Sequence, residues 1–341
     1  MSDTPLTLIV GAGLSGLTAA RALQDAGRRV LVLDKGRGVG GRLATRRVEA
    51  GEATLHFDHG AQYFTARDPD FRAAVESWQA ADVADVWADD FPAADGRAGK
   101  PHAHYPRYRG TDGMAGIAKH LAAGLEIESG LRVVKLTPEA DGWLVACDSG
   151  EQFRATDLIL TPPVPQTLAL LQDSGLTLDG ELLAALRRVE FAPCLSVMVT
   201  LDGPSAVPAP GGLFAGPEPV SWVADNTQKG LSPAGHSAVT LHAGPEFSRD
   251  HYKTDEAEVT AALLDATREY LGRSAVVTTK LHRWLYSLPT VVHPARHAEW
   301  HDAPAGRVLF AGDAFEGPRI EGAYLSGRSA AAALLHGTGT T

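Results

Sequence analysis

Residues 8–42 read LIVGAGLSGLTAARALQDAGRRVLVLDKGRGVGGR. The apolar run Leu8, Ile9, Val10 leads into Gly11-Ala12-Gly13-Leu14-Ser15-Gly16, after which Leu17, Ala20 and Leu23 recur at helical spacing and residues 30–33 form a second apolar run. The order is strand, glycine turn, helix, strand. Gly11 permits the tight turn, Gly13 lets the backbone approach a pyrophosphate, and Gly16 lets the helix lie close to the sheet, so a diphosphate can rest on unpaired helix N–H groups. The second strand ends at Asp34, eighteen residues beyond Gly16, where a carboxylate can accept hydrogen bonds from ribose hydroxyls. Strand, helix, second strand and terminal acid stand in register, which favours a dinucleotide site over a plain packing turn.

The chain has 341 residues, room for two domains or for one large domain with an insertion. A composition 44% hydrophobic and 21% charged is that of a folded globular protein, and a net charge of −10 lacks the basic footprint that nucleic acid requires. Cys147 and Cys194 form no CxxC pair, so they support neither a redox disulfide nor a zinc site and read as small core residues. No basic residue precedes the first apolar run, which argues against a signal peptide, and no stretch reaches the roughly eighteen apolar residues of a membrane span. A reducing cytoplasm is the expected compartment.

Residues 54–57 read as a short strand and His59-Gly60-Ala61 as a bend where small residues admit a ligand. Helical spacing of Phe71, Val75 and Trp78 predicts a helix over 70–81, followed by a strand over 83–91 and a loop over 93–106. His56, His102 and His104 have neither the i, i+4 placement nor the carboxylate company of a metal site, and no metal is expected. A helix over 115–123 is predicted with Asp112 or Thr111 as its cap. Residues 131–136 and 143–148 pair about Asp141-Gly142, and 157–161 form a buried strand ended by Pro162-Pro163. Helices are expected over 167–171 and 181–187, and half-buried strands over 195–201, 212–215, 220–224 and 238–243. An amphipathic helix over 254–271, with Asp255 and Glu256 at its positive end, then precedes a strand over 278–285. The last strand, 307–313, ends in Gly312-Asp313, and a helix opens at 319–327 and runs to about 335.

The Gly-Gly-Arg of residues 40–42, placed after the ribose-binding acid, resembles the flavoprotein fold of the amine oxidase group. That likeness implies that Lys35, Gly40, Gly41 and Arg42 run along the pyrophosphate, with Arg42 offsetting its charge. HGAQYFTARDPDF (59–71), HRWLY (282–286) and the tail RIEGAYLSG (319–327) are similar to renalase-like proteins, FAD-dependent oxidoreductases of the same fold. The resemblance implies that His59, Gly60, Ala61 and Gln62 lie against the flavin, that Val134 meets adenine through its backbone, and that the strand ending at Thr161 reaches the cofactor. It further implies that Asp313 hydrogen-bonds the ribityl chain. Backbone N–H groups near Ile320, Glu321 and Ala323 would then face the flavin N1/C2 carbonyl edge, where a helix N-terminus favours the anionic reduced ring. Read without the family, Gln62 and Tyr63 are equally polar groups capping a loop.

The expected fold class is α/β: a discontinuous FAD/NAD(P)-binding Rossmann-like domain of the amine oxidase or glutathione reductase type, with a mixed-sheet plus helix substrate domain. Residues 1–70, 113–165 and 290–341 are assigned to the first and 71–112 and 166–289 to the second. The resemblance implies noncovalent FAD, a dihydronicotinamide dinucleotide as substrate and O2 as acceptor. The 2- and 6-dihydro isomers of NAD(P) would be returned to NAD(P)+ with hydrogen peroxide formed. A hydride leaves with its electron pair, so the reaction asks for no dedicated base, and no GxSxG, HExxH or phosphate-binding lysine motif is present. No partnership with nucleic acid or membrane is expected, and monomer and homodimer both stay open.

Candidate pocket residues are Gln62, Tyr63, Trp222, His242, Trp284 and Arg319. Trp222 and Trp284 read equally as core aromatics, His242 as a hydrogen-bonded core histidine, and Arg319 as either a phosphate ligand or a partner of Glu316 or Glu321. Two other functions stand beside the first. One is an amine oxidase with Trp284 and Tyr286 as its cage; the other is a non-catalytic flavin-binding protein.

Overall fold

The computed structural model describes residues 5–94 and 105–336. Its contacts separate into two compact units, Met1–Gly41, Ala118–Glu190 and Pro289–Thr341 on the one hand, and Arg42–Ile117 and Phe191–Leu288 on the other.

In the first unit the described residues form a sheet ordered Ala298–Trp300, Val308–Phe310, Asp157–Leu160, Leu6–Val10, Arg29–Asp34, Ile127–Ser129. All pairings are parallel except that of the Ala298–Trp300 edge strand. Leu8, Ile9, Leu158, Ile159, Val308 and Leu309 are fully buried, the near-continuous apolar runs expected of parallel strands covered on both faces. The helix Leu14–Asp25 packs against the helix Ile320–His336. That approach is close enough that a Cβ at Gly327 would stand 2.2 Å from the Ser15 carbonyl oxygen. Arg28 and Arg307 donate to the carbonyls of Leu334 and Ala333, holding the far end of the same helix. A three-stranded sheet, Gln152–Ala155, Gly142–Cys147 and Val133–Glu139, completes the unit's strands among the described residues.

The second unit is built on a sheet ordered Gly212–Phe214, Val220–Asp225, Ser237–Ala243, Glu190–Leu201, Val276–Val291, with the helix Glu256–Ala266 packed on it through Val259 and Leu263. The Thr45–Ala50 and Ala53–Asp58 hairpin buries Leu55 and Phe57 against Met198 and Ala238. Residues 42–70 thus fall in this unit and 166–190 in the first, whereas the expected division placed them the other way about.

Three local features differ from expectation. The helix predicted over 254–271 divides into Glu256–Ala266 and Arg268–Leu271, because buried Thr267 turns its hydroxyl back onto the Leu263 carbonyl at 2.7 Å. The strand predicted over 278–285 extends to Val276–Val291. The helix Met114–Ala122 takes its N-terminal contacts from elsewhere in the second unit: Asp58 accepts from Met114 N–H at 2.9 Å and Thr45 from Ala115 N–H at 3.1 Å, while the Thr111 hydroxyl is buried without a partner. Among the described residues no cluster could hold a metal ion, and His56 is bound instead to the Leu231 carbonyl. His102 and His104 lie outside the described residues. No described helix is long and apolar enough to cross a membrane.

Candidate functional site

The glycine turn behaves as a backbone construction. Gly11 N–H donates to the Leu33 carbonyl at 2.7 Å, and Thr161 donates through its hydroxyl to the Val10 and Gly11 carbonyls at 2.8 and 3.2 Å, so the turn is tied to both neighbouring strands. A Cβ at Gly16 would come within 1.9 Å of the Gly11 carbonyl oxygen, a contact only glycine avoids. At Gly13 a Cβ would meet nothing within 4 Å, which is open space over the start of the Leu14–Asp25 helix. The first turn of that helix carries no acidic side chain, so its unpaired N–H groups and positive dipole end are undiminished for an anion. Ser15 is buried there with its hydroxyl unpartnered.

Asp34 accepts from Ala12 N–H on one carboxylate oxygen and from Gly36 N–H on the other, each at 2.6 Å. Each oxygen keeps a lone pair for a hydroxyl donor. Gly40 folds back to donate to the Ala12 carbonyl at 2.8 Å, with Gly41 against Gly13, while Lys35 reaches Gln166 at 3.3 Å on the surface. Leu131 N–H bonds the Asp34 carbonyl, bringing the following strand beside this corner. In that strand the register slips between Val133 and Lys135, so Val134 has no residue opposite it. The C-terminal segment bonds Gly312 N–H to the Ser326 hydroxyl at 2.9 Å, which ties the residue before half-buried Asp313 to the Ile320–His336 helix carrying Glu321 and Ala323. Arg319 is exposed, and Glu316 pairs with Arg296.

In the second unit the loop after the Ala53–Asp58 strand gathers several candidates. Ala61 N–H donates to the Arg42 carbonyl at 2.8 Å, and at Gly60 a Cβ would stand 2.1 Å from that oxygen, so glycine is required there too. The Arg42 guanidinium donates to the Ser287 carbonyl at 3.1 Å and lies over the Phe191 ring. Trp284 donates from its indole to the His59 carbonyl at 2.8 Å and stacks on the His59 ring with centroids 5.5 Å apart, while His282 meets both rings. Tyr286 goes elsewhere, edge-on to Phe191 at 5.6 Å. Tyr63 and Trp222 belong to an aromatic cluster with Trp87, Phe91 and Phe214. His242, opposite Trp222 in the strand register, lies 3.4 Å from Gln62 Nε2.

Burial sets the charge state of this group. It holds His59 and His242 down to about 4, and His282 and the positive Arg46 near His59, and Lys229 near His242, push the same way. Both rings are therefore neutral near pH 7. Three buried polar atoms in the same neighbourhood, His59 Nδ1, Gln62 Oε1 and Trp222 Nε1, have no hydrogen-bond partner in the protein. Gln62 and Trp222 are 6% and 5% exposed, so solvent does not satisfy them either.

Sequence reasoning missed Asp58 and Lys229, which form a fully buried ion pair at 2.6 Å. Asn226 accepts from Asp58 N–H at 3.2 Å and donates to Thr240, whose hydroxyl donates to the Asp58 carbonyl at 3.0 Å. Burial pushes the Lys229 ammonium below the usual lysine range while Asp58 pulls it back up. Nothing in the run DNTQKG marks Lys229 as internal; lysine goes inside only when paired, and its partner is remote in sequence.

Residues 102–335 match the family model for flavin-containing amine oxidoreductases, and 9–78 match that for an NAD(P)-binding Rossmann-like domain. Short stretches resemble characterised oxidases. One is 47% identical over 60 residues to (S)-6-hydroxynicotine oxidase of Paenarthrobacter nicotinovorans, covering 15% of this chain and 14% of that protein. Another is 44% identical over 75 residues to the L-glutamate oxidase precursor of Streptomyces diastatochromogenes, covering 20% and 11%. The fold is shared along nearly the whole chain with putrescine oxidase bound to putrescine (TM-score 0.69, 16% identity, 98% and 99% covered). Reduced UDP-galactopyranose mutase is similar in the same way (TM-score 0.73, 13% identity, 98% and 96% covered). The open glycine turn and the unfilled lone pairs of Asp34 fit the diphosphate and ribose of FAD. With the family match spanning well over half of its 341 residues, the chain belongs to the flavin-containing amine oxidoreductases and its cofactor is FAD.

Proposed function

We propose that this member of the family is a renalase-like oxidase that takes hydride from the 2- and 6-dihydro isomers of NAD(P). The C–H bond of the dihydropyridine breaks with its electron pair, NAD(P)+ is released, and O2 with one proton from solvent and that hydride becomes hydrogen peroxide. Bound noncovalently, FAD supplies the two-electron acceptor. Gly13, Leu14, Ser15 and Gly16 would hold its diphosphate at the helix start, with Gly11, Ala12, Gly40, Gly41 and Arg42 lining it, while Asp34 would hold the ribose, Val134 the adenine and Asp313 the ribityl chain. Thr161 braces the turn, and Lys35, on the surface beside it, would add positive charge near the cofactor. Backbone N–H groups at Ile320 and Glu321 would favour negative charge on the flavin ring, whereas the Ala323 N–H is spent on the Arg319 carbonyl at 2.9 Å and would add only to the helix dipole, and His59, Gly60, Ala61 and Gln62 would lie against that ring. The first unit is thus the FAD domain and the second the substrate domain, and the enzyme acts in the cytoplasm.

The observation that carries the reading is an aromatic surface inside the second unit, where neutral His59 and His242 accompany Tyr63, Trp222 and Trp284 and the unpartnered Gln62 Oε1 and Trp222 Nε1, with the Arg107 guanidinium over the Tyr63 ring. A flat ring bearing an amide complements such a surface, stacking on the aromatics and pairing with both orphaned atoms. No side chain has to remove a proton from carbon, which suits histidines held down to about 4 and therefore poor bases. Arg319, exposed, is free in position to meet a dinucleotide phosphate. Anaerobic stopped-flow mixing with each isomer tests this: rapid loss of flavin colour, then one peroxide per turnover in air, is expected, and no bleaching with either isomer overturns it. The family itself favours an amine oxidase as the second reading. Bleaching by mono- or polyamines and not by dihydronicotinamides would establish that reading instead.

A further inference from the structure

The loop from Asp58 to Gln62 is held by more than its own turn. Asp58 receives the Lys229 ammonium at 2.6 Å on one oxygen, and the Thr45 hydroxyl at 2.5 Å and Met114 N–H at 2.9 Å on the other. The same ammonium donates to the Gln62 carbonyl at 2.6 Å and lies 4.6 Å from the centre of the Trp87 ring. One cation thereby ties the first residue of the loop to the last. Within the loop Gln62 Nε2 donates to the carbonyls of Asp58 and Gly60 at 2.6 and 3.2 Å. Carbonyls only accept, so these contacts identify the nitrogen end of the amide and consume both of its hydrogens. The other end, Oε1, is buried and unmatched.

We propose that the Asp58–Lys229 ion pair is a positioning device that locks this loop so that Gln62 Oε1 accepts a hydrogen bond from a substrate N–H, selecting dihydropyridines that carry a primary carboxamide. This rests on the dihydronicotinamide reading and adds the group by which the substrate is told apart. Trp222 Nε1, buried without a partner on the strand facing His242, supplies the donor that the carboxamide oxygen requires. A primary carboxamide offers two N–H donors and a carbonyl acceptor, and so satisfies both protein atoms. An acetyl group of the same shape offers only the acceptor and leaves Gln62 Oε1 unmatched. Lys229 meets no substrate atom and acts through Gln62.

The test uses the holoprotein and two probe dinucleotides, NAD and its 3-acetylpyridine analogue. Dissociation constants of the oxidised forms are read from the perturbed flavin spectrum, and kcat and KM are measured with the dihydro forms. The wild type is expected to bind the carboxamide about tenfold more tightly, with the difference in KM rather than kcat. In the neutral pair Asp58→Asn/Lys229→Met, which leaves no lone buried charge, FAD should be retained and the preference lost; Lys229→Arg, which keeps the charge but alters its reach, should narrow it. Comparing the preference across variants cancels the intrinsic difference between the analogues. Equal wild-type affinity while both dihydro forms bleach the flavin overturns this inference and leaves the dihydronicotinamide reading standing. Bleaching by neither overturns both, and a preference undiminished in the folded variants removes the positioning role from Lys229.

Discussion

Residues 11–16 and residues 58–62 are both sharp turns leaving a strand, yet they are held in opposite ways. The first is made of main chain: Gly11 bonds the adjacent strand, Gly16 admits the carbonyl of Gly11, and Asp34 caps the corner through Ala12 and Gly36 N–H groups. The second is made of side chains from distant stretches, Thr45, Asn226, Lys229, Thr240 and Trp284, converging on Asp58, His59 and Gln62. A turn built on backbone tolerates almost any sequence around its glycines but no Cβ at them. A turn built on buried polar side chains tolerates ordinary backbone but no missing partner.

Substitutions separate the two kinds of construction. Gly16→Ala places a carbon 1.9 Å from the Gly11 oxygen and is expected to abolish FAD uptake, lowering stability by more than about 3 kcal/mol; flavin retained after gel filtration would break the backbone account. Lys229→Met strands the Asp58 carboxylate inside the protein and should cost about 3–5 kcal/mol in urea unfolding, with much of the loss restored by adding Asp58→Asn. An equally unstable double variant would mean that packing, not charge, ties the loop.

Acid should act on the second region before the first. His59 and His242 sit at about 4 in the folded protein against 6.5 in an open chain, so the unfolded state binds more protons between those values. Their contribution is complete above pH 6.5 and drains away as pH falls toward 4, about 1–3 kcal/mol for each ring. Unfolding midpoints at pH 7.5 and 4.5 measure it, and His242→Gln should flatten the dependence. Asp34→Ala should weaken FAD binding about tenfold without unfolding the protein, read by titrating apoprotein with FAD. The smallest change is Trp284→Phe, which deletes the bond to the His59 carbonyl and should cost about 1 kcal/mol.

The same contrast explains what could be read in advance. The nucleotide turn, the acid at 34 and the strand and helix of the tail follow from glycine spacing and apolar periodicity, because backbone geometry imposes both. The loop at 59–62 was recognisable as a motif, but what holds it was not. Asp58 and Lys229 lie 171 residues apart, and neither is marked by any local pattern. The N-terminal contacts of the Met114–Ala122 helix were sought nearby at 111 and 112 and came instead from Thr45 and Asp58, since a side chain already buried for another purpose can serve a helix end that the chain reaches much later. The split of the 254–271 helix at Thr267 turned on one hydroxyl choosing a carbonyl, which periodicity does not register.

The strand Leu6–Val10 lies between Asp157–Leu160 and Arg29–Asp34, and the Leu14–Asp25 helix rests on Ile320–His336. During synthesis the glycine turn precedes the wall behind it, Asp157–Leu160, by well over a hundred residues, and its covering helix, Ile320–His336, by about three hundred. Loading of the vitamin-derived cofactor consequently waits until that last helix has been made, and a nascent chain carries an unfinished cradle until then.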